Sequence, residues 1–249
     1  MRQRLDVALV ARGLVHSRSQ AESWIKLGKV TVDGRIITKS GHAVSDAATI
    51  QLKAKETYVS RAGLKLASVA ELLHLSFTEA TVLDVGSSTG GFTDYALQHG
   101  AKKVYAVDVG TDQLHPNLRS DSRIELHEKT DIRDFIPADA PDIIVIDVSF
   151  ISLREILPHL AEKVAGANTK IVAMVKPQFE AGRNQVNKGV IKNDSVRREI
   201  LKSFELWAKD TFVIQDKRDS DVAGAKGNQE RFYLLTLKRN STISPGRIT

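Results

Sequence analysis

Between Thr81 and Lys176 the chain carries short runs that are apolar along nearly their whole length: Thr81–Val85, Lys103–Val109, Asp142–Val148 and Lys170–Lys176. A strand with one wet face alternates apolar and polar residues, whereas a continuous apolar run of strand length reads as a strand covered on both faces. A further strand is predicted near Arg123–His127. Segments of helical character separate or flank these runs, at Arg61–Leu73, Phe92–His99, Leu153–Val164 and Ser195–Lys209. Repeated β-α-β predicts an α/β fold, a parallel sheet with helices on both faces. The last two runs, Phe212–Asp216 and Arg231–Lys238, have no crossover helix between them, so an antiparallel pair is expected there.

Several function classes are excluded early. The 249 residues include no cysteine, which removes disulfide scaffolds, thiolate zinc sites, iron–sulfur clusters and cysteine nucleophiles. The seven histidines are scattered, with no pair at metal-ligand spacing, so no metal is expected. No apolar run approaches the ~18 residues a membrane helix needs. The first residues, MRQRLDVALVARG, lack the apolar core of a secretory signal. A soluble, cytoplasmic protein is expected.

Charge is distributed unevenly. Residues 1–60 hold ten Lys/Arg against five acids, which accounts for +5 of the chain's net +6. That asymmetry predicts a phosphate-binding module joined to a near-neutral body, or else a generally basic surface. Within the module, residues 2–12 place Leu5, Ala8 and Leu9 on one helical face, ending at Gly13. A second helix, capped by Ser17 or Ser19, is predicted to run to Lys26 and Gly28. Lys29–Val32 and Arg35–Ile37 flank Asp33-Gly34, a hairpin turn signal, and Thr49–Leu52 follows as another strand. Lys53–Thr57 reads as a linker and Ser241–Thr249 as a frayed tail.

The most specific stretch is Val82-Leu83-Asp84-Val85-Gly86-Ser87-Ser88-Thr89-Gly90-Gly91-Phe92. A buried strand ends near an acid, turns on glycine and opens a helix, whose free N–H groups and small residues let a ligand approach closely. In such sheets ligands bind outside the carboxyl ends of the strands. Asp108 ends the next strand and could accept both hydroxyls of a ribose. The dehydrogenase spacing G-x-G-x-x-G is not met, and Asp84 would oppose a pyrophosphate. An acid there suits a cationic ligand such as the amino group of S-adenosylmethionine. Gly86-Ser87-Ser88-Thr89-Gly90 also matches the hydrolase elbow G-x-S-x-G, yet the last histidine is His159, and none follows in the remaining chain. A loop with no catalytic role is the remaining reading. Asp131 follows the third strand and either accepts from an adenine amino group or is a solvated turn acid.

Three charges stand at strand ends: Asp147, Lys176 and Glu230. A charge directly after an apolar inner strand is costly to bury alone, so each either finds a partner or faces water. Lys65 lies in a helix whose other residues are mostly apolar or small, where it either joins this group or snorkels to solvent.

The chain as a whole, from about residue 2 to 238, resembles the TlyA-type family of haemolysins or ribosomal RNA 2′-O-methyltransferases. Arg4-Leu5-Asp6, Ser17-Arg18, Ala21, Ile25, Gly28 and Val30-x-Val32-x-Gly34 are similar to an RNA-binding domain of ribosomal-protein type. Tyr58-Val59-Ser60-Arg61-Ala62-Gly63-x-Lys65-Leu66, Asp84 to Asp94, Asp147-Val148-Ser149-Phe150-Ile151-Ser152, Lys176-Pro177-Gln178-Phe179-Glu180 and Gly224-x-x-Gly227-Asn228-x-Glu230 resemble its methyltransferase signatures. The resemblance implies a Rossmann-like class I methyltransferase with a mostly parallel seven-stranded sheet over residues 58–240. It places a small α+β RNA-binding domain before it, over residues 1–57, and leaves a tail at 241–249.

It also implies a Lys-Asp-Lys-Glu tetrad like that of FtsJ-type ribose methyltransferases, at Lys65, Asp147, Lys176 and Glu230. S-adenosylmethionine is the implied cofactor, held by Asp84, Gly86, Ser88, Gly90, Gly91, Phe92, Asp108, Asp131 and Asp147. Ribosomal RNA, as subunits, is the implied partner, with Arg4, Arg18, Lys26 and Lys29 as phosphate contacts, and no membrane. A 2′-hydroxyl attacks poorly while protonated, and a lysine can take that proton only where burial or a neighbouring cation favours its neutral form. The expected arrangement has Lys176 as base, Asp147 orienting it, and Lys65 and Glu230 positioning the hydroxyl. A catalytically inactive RNA-binding protein and a membrane-lytic protein are the alternatives.

Overall fold

The computed structural model describes residues 2–15, 18–26, 28–53, 58–182, 189–191, 193–222, 224 and 227–238. The linker residues 54–57, the tail 241–249 and the cap Ser17 therefore lie outside the described residues, as do the side chains of Ser19 and Lys26.

The N-terminal part begins with β1 (Arg2–Arg4), then α1 (Leu5–Ala11) and α2 (Arg18–Lys26). Four short strands follow: β2 (Val30–Val32), β3 (Arg35–Ile36), β4 (Ala43–Ser45) and β5 (Ile50–Leu52). Residues 2–4 are thus not the start of the helix that the apolar spacing predicts. They pair antiparallel with β4, and those backbone bonds hold them extended until Leu5 turns inward. The Asp33-Gly34 turn forms as expected, with positive φ at both residues (50° and 80°), joining β2 to β3. Leu5, Ala8, Leu9, Ala21 and Ile25 bury completely between the two helices and the small sheet.

The rest is one seven-stranded sheet: β6 (Thr81–Val85), β7 (Lys103–Val107), β8 (Ile124–His127), β9 (Ile143–Ile146), β10 (Lys170–Val175), β11 (Phe212–Asp219) and β12 (Arg231–Leu237). Their order is β11-β12-β10-β9-β6-β7-β8. All pairs are parallel except those made by β12, which runs antiparallel to both neighbours, as the missing crossover requires. Alternate residues feed opposite faces. Val82, Val104, Val145 and Val172 join the cluster under α3 (Arg61–Ala70) and α4 (Gly91–Gln98). Leu83, Tyr105, Ile144 and Ala173 join the cluster on the other face, under the fifteen-residue helix that spans Asp194–Ala208.

Between β7 and β8 lies the single turn α5 (Pro116–Arg119). The helix expected over Leu153–Val164 is broken into a 3₁₀ turn (Leu153–Glu155), a short α turn, α6 (Leu157–His159), and a π turn (Leu160–Val164). Pro158 explains the break: it lacks an N–H and its ring crowds the preceding turn. A short helix, α7 (Pro177–Glu180), opens the loop after β10, and Asp194–Ala208 is α8.

Strand order reverses between β6 and β9, so their connections leave in opposite directions and open a crevice at their carboxyl ends. The two loops meet there closely. Asp147 N donates to Val85 O at 3.0 Å, and a Cβ on Gly86 would stand 2.8 Å from the Asp147 carbonyl. Gly86, at φ +79°, is the residue this approach requires.

Candidate active site

The crevice at the switch point is lined by Gly86, Asp108, Val109, Asp131, Val148 and Ser149, among others. The Asp108 carboxylate is set by two backbone donors, Ser88 N at 2.8 Å and Gly110 N at 2.7 Å. Each of its oxygens keeps a lone pair for a further donor, as a ribose diol would need. Asp131 reaches the same crevice, but Arg133 grips its carboxylate through Nε at 3.0 Å and Nη2 at 2.6 Å. That guanidinium holds Asp131 at about 2. Asp131 also caps the 3₁₀ turn Ile132–Asp134 by accepting from Arg133 N.

Asp84 lies beneath the loop. Its Oδ2 accepts from Thr93 N (2.9 Å) and Thr93 Oγ1 (2.7 Å), which ties β6 to the first turn of α4. Burial, aided by the Asp147 and Asp108 charges, pushes this carboxyl up to about 7, and its Oδ1 has no hydrogen-bond partner. A buried carboxylate oxygen left open beside a ligand crevice fits a cationic group. The Gly90 and Gly91 positions serve close packing: a Cβ would strike Leu118 at the first and Ala62 at the second. Ser88 sits at φ +47°. Phe92 turns away from the crevice into the core, 6.1 Å from the Phe232 ring, so its side chain does not reach a ligand bound there.

The four charges foreseen as a tetrad come together from four elements. Lys65 on α3 points its Nζ at Glu230 Oε2, 2.6 Å away, just before β12. Lys176, directly after β10, meets Asp147 Oδ1 at 2.6 Å, directly after β9, and donates to Ser149 Oγ at 2.8 Å. Lys65, Lys176 and Glu230 are nearly fully buried and share one pocket with Ser149, Phe150 and Phe179. Each lysine thus has its own carboxylate. Two ion pairs buried in one pocket are a poor route to stability, since desolvation offsets most of the attraction.

Other residues of the site stood in the family signatures without a role assigned to them. Phe150 is 92% exposed at φ +68°, and its ring centroid lies 5.2 Å from that of Phe179. The two form an aromatic wall of the tetrad pocket. Glu180, whose side chain is almost wholly buried, reaches across to accept from Ser152 Oγ (2.6 Å) and Leu153 N (2.7 Å). Burial pushes this carboxyl upward. It braces the loop after β9 against the loop after β10, the two that carry Asp147 and Lys176. Asn228, also buried, holds Gly189 O and Ile191 N at the rim. The signal for Phe150 was an aromatic three residues past a strand-end acid.

In the N-terminal part Arg4 and Arg18 are exposed around the buried Asp6, and Lys29 is exposed. Among the described residues no cluster of His, Asp and Glu could hold a metal ion, and no helix is long and apolar enough to cross a membrane.

A seven-stranded sheet with one antiparallel strand and a glycine crevice at its switch point define the methyltransferase class. The FtsJ-like methyltransferase family matches residues 58–238 and the S4 domain matches residues 3–50. The chain therefore belongs to the FtsJ-like methyltransferase family, in its TlyA-type branch with an S4 domain. It is 38% identical to the 16S/23S rRNA (cytidine-2′-O)-methyltransferase TlyA of Mycobacterium tuberculosis, over 98% of this chain and 93% of that one. It is 39% identical to hemolysin A of Brachyspira hyodysenteriae, over 91% and 97%. A solved structure from Streptococcus thermophilus that carries the name hemolysin superposes with a TM-score of 0.71 at 39% identity, covering 96% of this chain and 90% of that one.

Proposed function

We propose that the protein methylates ribose 2′-hydroxyls of ribosomal RNA, using S-adenosylmethionine, in the cytoplasm. In this reading residues 1–57 bind RNA and residues 58–240 carry out the transfer. The observation that carries the reading is that Lys65, Glu230 and Lys176 line one pocket, with Asp147 paired to Lys176, and that this pocket shares Ser149 with the crevice at Gly86. The relative named above as an rRNA (cytidine-2′-O)-methyltransferase supports the substrate class.

The crevice fits the cofactor on its own residues: Asp108 for the ribose hydroxyls, Gly86 for close approach, and the open oxygen of Asp84 for positive charge. When bound, S-adenosylmethionine supplies an electrophilic methyl group. The chain supplies the rest. Lys65 and Glu230 hold the hydroxyl, and Lys176, in its neutral form, takes the proton from the 2′-oxygen. Asp147 and Ser149 fix the direction of the Lys176 amine and then stabilise the ammonium that forms. Positioning an in-line attack of this kind can account for most of the rate. Phe150, exposed beside the pocket and backed by Phe179, gives the base of the target nucleotide a flat surface to stack on.

The test is incubation of the purified protein with labelled cofactor and isolated bacterial ribosomal subunits, followed by mapping of the label. Label on a ribose 2′-oxygen supports the reading. Label on a base, or none with either subunit, overturns it.

A further inference from the structure

Asp6 is the second residue of α1 and has no solvent exposure. Its carboxylate collects four donors. Oδ1 accepts from Arg4 Nε (2.9 Å) and Val7 N (3.0 Å), and Oδ2 accepts from Arg4 Nη2 (2.9 Å) and Arg18 Nη2 (3.0 Å). The two guanidiniums come from different elements, β1 and the first residue of α2, and this carboxylate hydrogen-bonds both. Their side chains remain 53% and 58% exposed. Arg4 gives one edge of its fork to Asp6 and keeps the Nη1 edge free of it. Arg18 gives a single N–H. The Arg4 guanidinium also lies against Gly41, where a Cβ would stand 3.2 Å from Nη1. The arginines hold Asp6 at about 2, so the acid stays charged at any physiological pH.

A buried acid that served only its own neutralisation would be satisfied by Arg4 alone, bidentate. The second arginine leaves a surplus of one positive charge and several outward N–H groups, in the fork geometry that suits phosphate oxygens. We infer that Asp6 is a positioning residue that locks Arg4 and Arg18 into a two-guanidinium clamp for the phosphate backbone of RNA. This inference rests on the RNA-binding reading of the N-terminal domain and names the device within it. Two long side chains fixed before the ligand arrives lose less freedom on binding.

The test separates position from charge. Asp6→Asn removes a negative charge, so simple electrostatics makes RNA binding tighter, whereas loss of the clamp makes it weaker. Binding of the full-length protein to isolated bacterial ribosomal subunits is measured by filter retention across a salt series. Melting temperature and calorimetric cofactor binding serve as folding controls. Asp6→Asn is expected to weaken binding about 3- to 10-fold despite its added charge. It should have no further effect in an Arg4→Ala/Arg18→Ala background, whose salt slope falls by up to about two. Should Asp6→Asn prove too unstable, Arg4→Lys/Arg18→Lys keeps both charges and the pairing to Asp6 but removes the fork, and is expected to weaken binding by a similar factor. Equal or tighter binding by Asp6→Asn, an equal loss in the double-alanine background, or wild-type affinity of the double-lysine variant would overturn the clamp. Wild-type protein that binds cofactor but neither subunit would overturn the RNA reading itself, and the clamp with it.

Discussion

Lys65 enters from the first helix of the methyltransferase domain and Glu230 from the residue just before its last strand, and their charged atoms end 2.6 Å apart inside the protein. Neither side chain is more than a tenth exposed. Removing one partner leaves the other buried and unpaired, at about 3–5 kcal/mol, whereas removing both with apolar replacements is close to neutral. Glu230→Gln is therefore expected to lower stability, and Glu230→Leu with Lys65→Met to regain much of the loss in urea unfolding. Both variants are expected to be inactive. A double variant that regains stability and also turnover would show that the pair is structural only.

The exposed ring of Phe150 contributes little to the fold, so Phe150→Ala should change stability by less than about 0.5 kcal/mol. Loss of a base-stacking surface costs about 1–3 kcal/mol, or roughly 10- to 100-fold in kcat/KM for RNA. Affinity for the cofactor, read by calorimetry, should not move. An unchanged kcat/KM would remove the stacking role.

Asp84 gives a pH dependence of definite sign. Its folded value of about 7 lies above the ordinary 3.8 because burial disfavours the charged form. Below pH 4 both folded and unfolded chains carry the proton, and this group adds nothing. As pH rises from about 4 to 7 the unfolded chain gives up its proton first, so stability falls, by on the order of 2–4 kcal/mol in total. The stability of Asp84→Asn relative to wild type should therefore improve with pH across that window in cofactor-free protein. A difference that stays constant with pH would contradict this.

The Glu180 brace predicts a separate pattern. Glu180→Gln keeps the shape but replaces one acceptor with a donor facing Ser152 Oγ or Leu153 N. A loss of about 1–3 kcal/mol is expected, together with a lower kcat, since the loops holding Asp147 and Lys176 lose their tie. Cofactor affinity is expected to be retained. Restoration of kcat at low temperature without restoration of the loop tie would assign Glu180 to stability alone.

The parts of the fold legible in the sequence are those where burial dictates composition. Thr81–Val85, Ile143–Ile146 and Lys170–Val175 could be read because strands covered on both faces leave few polar positions. Asp147 and Lys176 could be marked as candidate site residues for the same reason, since they stand out against the apolar runs before them; Lys65 was grouped with them only through the family resemblance. Arg2–Arg4 and Ala43–Ser45 were not, because these strands are largely exposed and are held by each other's backbone rather than by a buried face. Ser149, Phe150 and Glu180 stood in the quoted signatures but received no role, because loops bring them together and no periodicity encodes a loop. Phe92 shows the converse, a residue of the most specific motif whose side chain serves the core.

The most direct test is the single-turnover rate of methyl transfer to isolated ribosomal subunits, measured against pH for wild type and Lys176→Ala. A lysine base predicts a wild-type rate that climbs with pH until the amine is neutral. It also predicts a variant slowed by about 10²–10⁴-fold that still binds cofactor normally and has lost that climb. A Lys176→Ala protein with wild-type turnover and the same pH profile would contradict the account.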